Sequence, residues 1–295
     1  MGKIGKIFTL FSLTRYHCKQ LFSSKRWFVV LGIDIFLSFM ASFRMKAMAS
    51  YILATYHIPF SANIWDVPFS LLAVGSVESV SIYILIVAFI FLVGDVLLRD
   101  MQAGRLPMLT SRTQNRMTWF VSAIPAVFLS AVVFLVLTFV VHLGVALFFL
   151  PRSSSWSLFL TSNTNPIFGL RGYYFMPGTP SPPIPFFISV IGYLTGALLS
   201  VVLFSIVASL IFKRTFAVYL PVAWLLLDLS MALRVMRSSG GGGRFFFTAQ
   251  LAYMNHYQYP SIYPFPVTAS IIAFCILCVI WIAIGYYSVQ RIDLL

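Results

Sequence analysis

Six long apolar runs, separated by polar or aromatic-rich stretches, dominate the chain: 27–43, 71–98, 119–147, 186–212, 216–233 and 267–289. They are continuously apolar rather than alternating, so they read as helices, which satisfy their own backbone hydrogen bonds where no water can. At about 1.5 Å of rise per residue, roughly 20 apolar residues cross about 30 Å of hydrocarbon. The first run is short for a span, and the second starts somewhere between Val67 and Ser79. The third, continued to Leu150, is too long for one upright span and too short for two. It is expected to tilt or to project beyond the membrane, with Pro125 a position for a kink.

Composition agrees with the pattern. With 60% hydrophobic and 9% charged residues and a mean hydropathy of +0.94, the chain has too little polar surface to cover a soluble globule of this size. The predicted fold class is an all-α integral membrane protein: one domain over residues 1–295, with six transmembrane helices and an N-terminal interfacial amphipathic helix. That helix falls within residues 1–26. Ile4, Ile7, Phe8 and Phe11 recur at helical spacing, with Gly2, Gly5, Lys6, Thr9 and Ser12 on the other side and Arg15 intruding on the apolar face. The apolar stretch from Ile7 to Leu13 is ended by Arg15 with no small-residue cleavage site after it, so it does not read as a cleavable signal. Lys6 stands where a myristoylation signal needs Ser or Thr.

Charge sets the expected orientation. With the N-terminus inside, thirteen of the 20 basic residues fall on the cytoplasmic side and seven outside, the latter being Arg44, Lys46, Arg152, Arg171, Arg234, Arg237 and Arg244. The positive-inside rule therefore predicts a multi-pass protein of the cell membrane with both termini cytoplasmic. The net charge of +13 is accounted for by residues flanking spans, so anionic headgroups are the expected counter-charge and no nucleic-acid partner is needed. The outer connections, 44–70, 148–185 and 234–266, are rich in Pro, Tyr, Phe and Trp, including Pro177, Pro180, Pro182, Pro183 and Pro185. Such loops are expected to pack on one another or on the membrane surface, except at Ser238 to Gly243, where four consecutive glycines favour a hinge.

Catalytic chemistry is hard to place. The chain has no phosphate-binding G-x-x-x-x-G-K-[ST] loop, no H-E-x-x-H motif and no paired intramembrane carboxylates at helical spacing. His142 is the one histidine in an apolar run, so a bis-histidine haem site lacks its second ligand. Cys275 and Cys278 form a C-x-x-C without a second pair, which reads as small apolar filler rather than a metal or redox half-site. No metal site and no enzymatic activity are predicted for this chain. Two acids remain: Asp34 in the first run and Asp228 in the fifth, where a charge is costly and marks a substrate site or a pairing across the bundle. Glu78 and Asp95 lie near the membrane interfaces and need no special role. Gly192 and Gly196 form a G-x-x-x-G that permits close helix packing.

The polar island at 99–118 stands out. Asp100 is followed by Gly104, which can end the incoming helix, and Pro107 suits the first turn of a new short one. Leu106, Met108 and Leu109 give that turn an apolar surface between Arg105 and Arg112, and Thr113 can cap the third span, with Arg116 at the interface. In this order of features, Asp100, Gly104, Leu106 to Leu109 and Ser111-Arg112, the chain resembles the permease subunits of type-2 ATP-binding-cassette transporters. In those, an amphipathic N-terminal helix precedes six spans. Pro107 within the turn and the long outer loops depart from the family pattern.

The resemblance implies that Arg105 to Ser111 is a cytoplasmic coupling helix inserted into a separate ATPase subunit. ATP and Mg would then sit on that partner, with no cofactor in this chain. It also implies a second permease subunit, identical or homologous, and export of an amphipathic or hydrophobic cargo such as a peptide, lipid or drug-like molecule. The rival expectation is an ion channel or a non-transporting membrane scaffold; against the channel, no ring of charges or repeated filter sequence is visible.

Overall fold

A helix forms in every apolar run, and where each helix stops is decided by local chemistry rather than by hydrophobicity. The computed structural model describes residues 3–57, 62–70, 77–113, 116–157, 182–239, 246–251 and 266–291; it is 86% helix, with no strand among the described residues. After α1 (Lys3–Phe22), α2 runs from Arg26 to Tyr56, well past the expected end of the first run at Phe43. Seven of the thirteen residues of the extension are Met, Ala, Lys or Leu, which are good helix formers. It closes where His57 turns left-handed, φ 54°, two residues before Pro59.

The second run is broken in two. A short helix, α3 (Asp66–Ser70), precedes α4 (Val77–Val93) and α5 (Val96–Gln102), which meet at Gly94–Asp95. A Cβ on Gly94 would fall 2.6 Å from Ser205 Oγ and 2.8 Å from Val218 Cγ1, so the missing side chain is what lets the neighbouring helix come this close. Next come α6 (Leu106–Thr113) and α7 (Arg116–Ala146), which carries Pro125 inside it. At 31 residues, α7 is about 46 Å long, longer than the roughly 30 Å of hydrocarbon it would cross. Thr113 lies in the last turn of α6 instead of capping α7, a correction to its expected role.

The fourth helix of the bundle, α8 (Pro183–Phe212), starts on a run of prolines, with Pro182 as its N-cap. The fifth run does not form a uniform α-helix. It begins as a 3-10 turn, Thr215–Tyr219, and continues as α9 (Leu220–Ser239). A short α10 (Phe247–Leu251) and the final α11 (Val267–Gln290) complete the chain. Five helices are therefore long and apolar enough to cross a membrane: Arg26–Thr55, Ser81–Gln102, Arg116–Ala146, Pro183–Phe212 and Val267–Gln290. The apolar stretch Thr215–Met231 is shorter than these, so the expected count of six is reduced to five long helices and a shorter one.

Packing radiates from α8, which is buried along most of its length and lies against α11, α7, α4 and α5. By contrast α11 buries only one edge, through Ser270, Phe274, Gly285 and Val289, and leaves Ile272, Ile276 and Val279 exposed. A helix that is apolar all round yet buried on one side suits a hydrocarbon surrounding. In α1 the buried stripe is Leu13, His17 and Leu21, turned to α7, while Phe11 is exposed. The expected apolar face through Phe11 is thus not the face that docks on the bundle. Rather than merely lying on a surface, α1 is bonded to the body of the protein, with Thr14 Oγ1 donating to the Ser122 carbonyl at 3.1 Å.

Two of the three aromatic-rich connections, 44–70 and 148–185, pack on each other through their described residues at the end of the bundle away from α6, whereas Phe247 of the third lies on Trp224 and Phe274. Trp65, Phe69, Trp156, Phe186 and Phe187 form a continuous ring cluster with Phe139 of α7. The four glycines after Ser239, and Pro177 and Pro180, lie outside the described residues.

Candidate coupling segment and buried polar sites

The polar island folds as two short helices with a sharp stop between them. Gly104, at φ 64°, places its N–H on the Met101 carbonyl at 3.1 Å, and the Arg105 N–H reaches the Asp100 carbonyl at 3.0 Å. This is the Schellman arrangement that ends a helix at a left-handed glycine. Pro107 occupies the first turn of α6, where its missing N–H costs no helical bond. The structure then divides the expected apolar surface. Leu106 and Leu109 are buried, with α6 lying against α7, whereas Met108 is 54% exposed and Arg105 and Pro107 are exposed. The leucines anchor the helix and the Arg105–Pro107–Met108 side is displayed. Ser111 and Arg112 lie in the last turns of α6, and their side chains fall outside the described residues.

Two carboxylates fix this end of the molecule. Asp100 is fully buried; it accepts hydrogen bonds from Tyr16 Oη at 2.8 Å, Trp119 Nε1 at 3.2 Å and Gln20 Nε2 at 3.3 Å, with His17 Nδ1 3.9 Å away. Burial lowers the His17 pKa, against the pull of Asp100, so His17 sits as a neutral ring beside the carboxylate. Tyr16 in turn accepts from Arg105 Nη1 at 3.4 Å. A chain of contacts thus runs from α1 through Asp100 to the first residue before α6. Asp95 takes both guanidinium nitrogens of Arg26, at 2.8 and 2.9 Å, and Nε of Arg99 at 3.0 Å. It ties the start of α2 to the break between α4 and α5, a role its place near the membrane interface does not itself require.

The intramembrane acids separate into different roles. Asp228 accepts from the backbone N–H groups of Phe247 (3.3 Å) and Thr248 (2.7 Å), and from Thr248 Oγ1 at 2.6 Å. It holds the first turn of α10, which accounts for its carboxylate structurally. Asp34 is fully buried and faces His142 of α7, with Oδ1 3.4 Å from Nδ1. The sequence reading treated the two separately and missed the pair. The available signal was that each is the one ionisable outlier within its apolar run, 27–43 for Asp34 and 119–147 for His142. Close by, between α4, α7 and α8, lies a small cavity of about 60 Å³, lined by Ile86, Phe134, Thr138, Leu194 and Leu251. A wider groove between α8 and α11 is lined by Gly192, Gly196 and the free thiols Cys275 and Cys278.

Asp66 is a further buried acid that the sequence did not single out. It accepts from the Asn63 N–H at 2.5 Å and from Ser157 Oγ at 2.6 Å, and so joins the connection before α3 to the one after α7. Trp65 Nε1 and Asn63 Nδ2 add bonds to the Ser153 and Ser155 carbonyls at 2.8 and 2.9 Å. Burial pushes the Asp66 carboxyl up to about 7, its two hydrogen bonds opposing the shift. An acid whose folded value is raised holds more protons folded than unfolded between pH 3.8 and about 7. Stability from this group is therefore full below that window and falls as pH rises through it. The protection factors of the 62–70 backbone, corrected for the intrinsic pH dependence of amide exchange, are expected to be larger at pH 5 than at pH 8 by hydrogen–deuterium exchange mass spectrometry, and Asp66→Asn should remove that difference in protection.

Neither a family model, nor a curated protein, nor a solved structure matches the chain. Its class accordingly rests on its own architecture: an all-helical protein with five long apolar helices compatible with a multi-pass membrane protein.

Proposed function

We propose that the chain is the membrane-spanning permease subunit of an ATP-driven transporter, with ATP and Mg held by a separate ATPase that docks on α6. The observation that carries this reading is the presentation of α6: a glycine-stopped helix before it, two buried leucines beneath it, and Arg105, Pro107 and Met108 on its open side. A loop that merely satisfied the positive-inside rule would need no such anchoring. A lever must be rigidly joined to the helices it moves, and the Asp100–Tyr16–Arg105 chain supplies that joint. Motion of α6 would be passed to α5, α7 and α1 as a rigid-body shift, the usual mode of such switches.

The six-span topology belongs to this proposal. In Thr215–Met231 the opening 3-10 turn rises about 2.0 Å per residue, so the stretch reaches roughly 28 Å, nearly the hydrocarbon thickness. The chain would then have both termini in the cytoplasm and pair with a second permease subunit, identical or homologous, in the cell membrane. The apolar lining of the cavity and groove supports an amphipathic or hydrophobic cargo, with export as the direction the family resemblance implies.

The test is ATPase coupling in the reconstituted complex. Met108→Asp should leave the chain folded and lower transport-coupled ATP hydrolysis at least about tenfold, equivalent to roughly 1.4 kcal/mol of lost docking energy. Leu106→Asp should instead disturb α6 itself, seen as a lower melting temperature. Equal coupling in wild type and Met108→Asp would count against the dock.

A further inference from the structure

A polar seam crosses the interface between two apolar helices. On α2, Asp34, Ser38 and Ser42 recur every four residues and all are buried; on α7, Thr138 and His142 repeat the same spacing and are buried too. Side chains four apart share one helix face, so both stripes point into the α2–α7 contact. Arg26 and Arg44 flank the apolar part of α2, placing Asp34 about 12 Å from one and about 15 Å from the other along the helix. That is within the apolar part of the helix, a setting where ionisable groups are rare and mark sites of function.

The seam is not saturated by its own hydrogen bonds. His142 Nδ1 is shared between the Thr138 carbonyl, at 2.8 Å, and Asp34 Oδ1, at 3.4 Å. His142 Nε2 and Ser42 Oγ are buried without a partner in hydrogen-bond geometry, and the Asp34 carboxylate has the Thr138 hydroxyl beside it. Buried polar groups in folded proteins are ordinarily satisfied, and a cluster of exceptions asks for a reason. One carboxylate, one imidazole and two or three hydroxyls are too few and too weak a donor set for a divalent metal. They suit a proton, which needs only two heteroatoms within reach.

Other ionisable groups on the helices packed around the pair are engaged elsewhere. Asp66 of α3 is bonded to Asn63 and Ser157, Tyr83 of α4 lies in electrostatic reach of Asp228, and Tyr193 of α8 donates to the Gln250 carbonyl. Cys275 and Cys278 of α11 line the groove with α8. His17 and Asp100 cluster with Trp119, and Trp119 is about 35 Å down α7 from His142 by helical rise. Among the described residues, Asp34 and His142 are therefore each other's titratable neighbour.

We propose that Asp34 and His142 form an intramembrane proton-binding site whose one shared proton is released when α2 and α7 part. With one proton between them, as carboxylic acid and imidazole or as carboxylate and imidazolium, the pair has no net charge and α2 can lie dry against α7. Release transfers that proton to water and leaves a carboxylate beside a neutral imidazole. A single net charge in hydrocarbon is disfavoured until water reaches it, so the deprotonated seam opens. The unpartnered Ser42 hydroxyl, on the same stripe as Asp34, is available to the entering water. The site rests on α2 and α7 spanning the membrane and stands whether or not an ATPase docks on α6.

The experiment uses the full chain in lipid nanodiscs with ¹⁵N-labelled histidine, the His142 resonances being identified by their loss in His142→Gln. Spin labels at Phe43→Cys and Val140→Cys, exposed positions on α2 and α7, report the helix separation in a background with Cys18, Cys275 and Cys278 replaced by serine. As pH is raised, His142 should titrate in one step and the label separation should increase over the same range. Asp34→Asn, neutral at every pH, should abolish the change in separation and displace the histidine step. A His142 spectrum and a separation that both stay constant with pH would overturn the proposal, as would a step unaltered in Asp34→Asn. ATPase binding, measured alongside, is expected to be the same in Asp34→Asn and wild type, so the two readings fail separately.

Discussion

Replacing Asp100 by alanine is expected to destabilise the protein by about 3 kcal/mol and to free α1 from the bundle. The carboxylate is wholly buried, and alanine would leave Tyr16 Oη and Trp119 Nε1 without their acceptor. Hydrogen bonds to a charged group are each worth about 1.5–3 kcal/mol, and their loss here is compounded by donors stranded away from water. The nearest joint to yield is Ser23–Lys25, between α1 and α2. Trypsin should therefore cut after Lys25 or Lys19 faster in Asp100→Ala than in wild type, as read by mass spectrometry of the fragments. Asp100→Asn, which keeps an acceptor oxygen, should fall between the two. A cleavage rate in Asp100→Ala equal to wild type would show that α1 is held by its apolar face alone.

The second large effect is expected at Asp95. Its two oxygens are met by three guanidinium nitrogens, and Asp95→Ala strands Arg26 and Arg99 side by side. Breaking a buried pair by removing one partner costs about 3–5 kcal/mol. Both arginines keep partial access to solvent, with side chains 29% and 23% exposed, which places this case near the lower end. Thermal unfolding in detergent should show the loss, and added salt should weaken the wild-type protein only slightly, because the carboxylate itself is shielded. Arg26 also donates to the Phe91 carbonyl at 2.7 Å, so Arg26→Lys, which cannot fork, should recover only part of the stability.

How far the sequence foretold this structure depends on the kind of force that decides each feature. Apolar runs of span length could be seen directly, because transfer from water to hydrocarbon depends on composition summed over many residues. The stop at Gly104 and the start at Pro107 were also legible, since each is a backbone preference of one residue type. The extension of α2 to Tyr56 was not, because helix propensity continues after hydrophobicity ends. The close approach at Gly94 involves Ser205 and Val218, more than a hundred residues along the chain, and no local pattern encodes that contact.

The polar sites follow the same division. Asp34 and Asp228 both appear in the sequence as charges in apolar runs, but only tertiary structure tells them apart: one meets His142, the other caps α10. In α6 the spacing of Leu106, Met108 and Leu109 marked an apolar turn correctly. Which members faced inward depended on where α7 lay. Asp66 sits in a connection whose partners, Asn63 and Ser157, are unremarkable residues in sequence and become a site only when two loops meet.

The most direct test of the central claim is contact at α6. A photo-crosslinking amino acid at Met108, in the full chain expressed in its native membrane, should form a covalent adduct with a protein that carries Walker ATPase motifs, identified by mass spectrometry. The same probe at Phe148, 85% exposed beyond the far end of α7, should not. Capture of that ATPase from position 108 alone is the predicted result. Failure to capture one there, together with ion conduction by the purified chain in liposomes, would contradict the account.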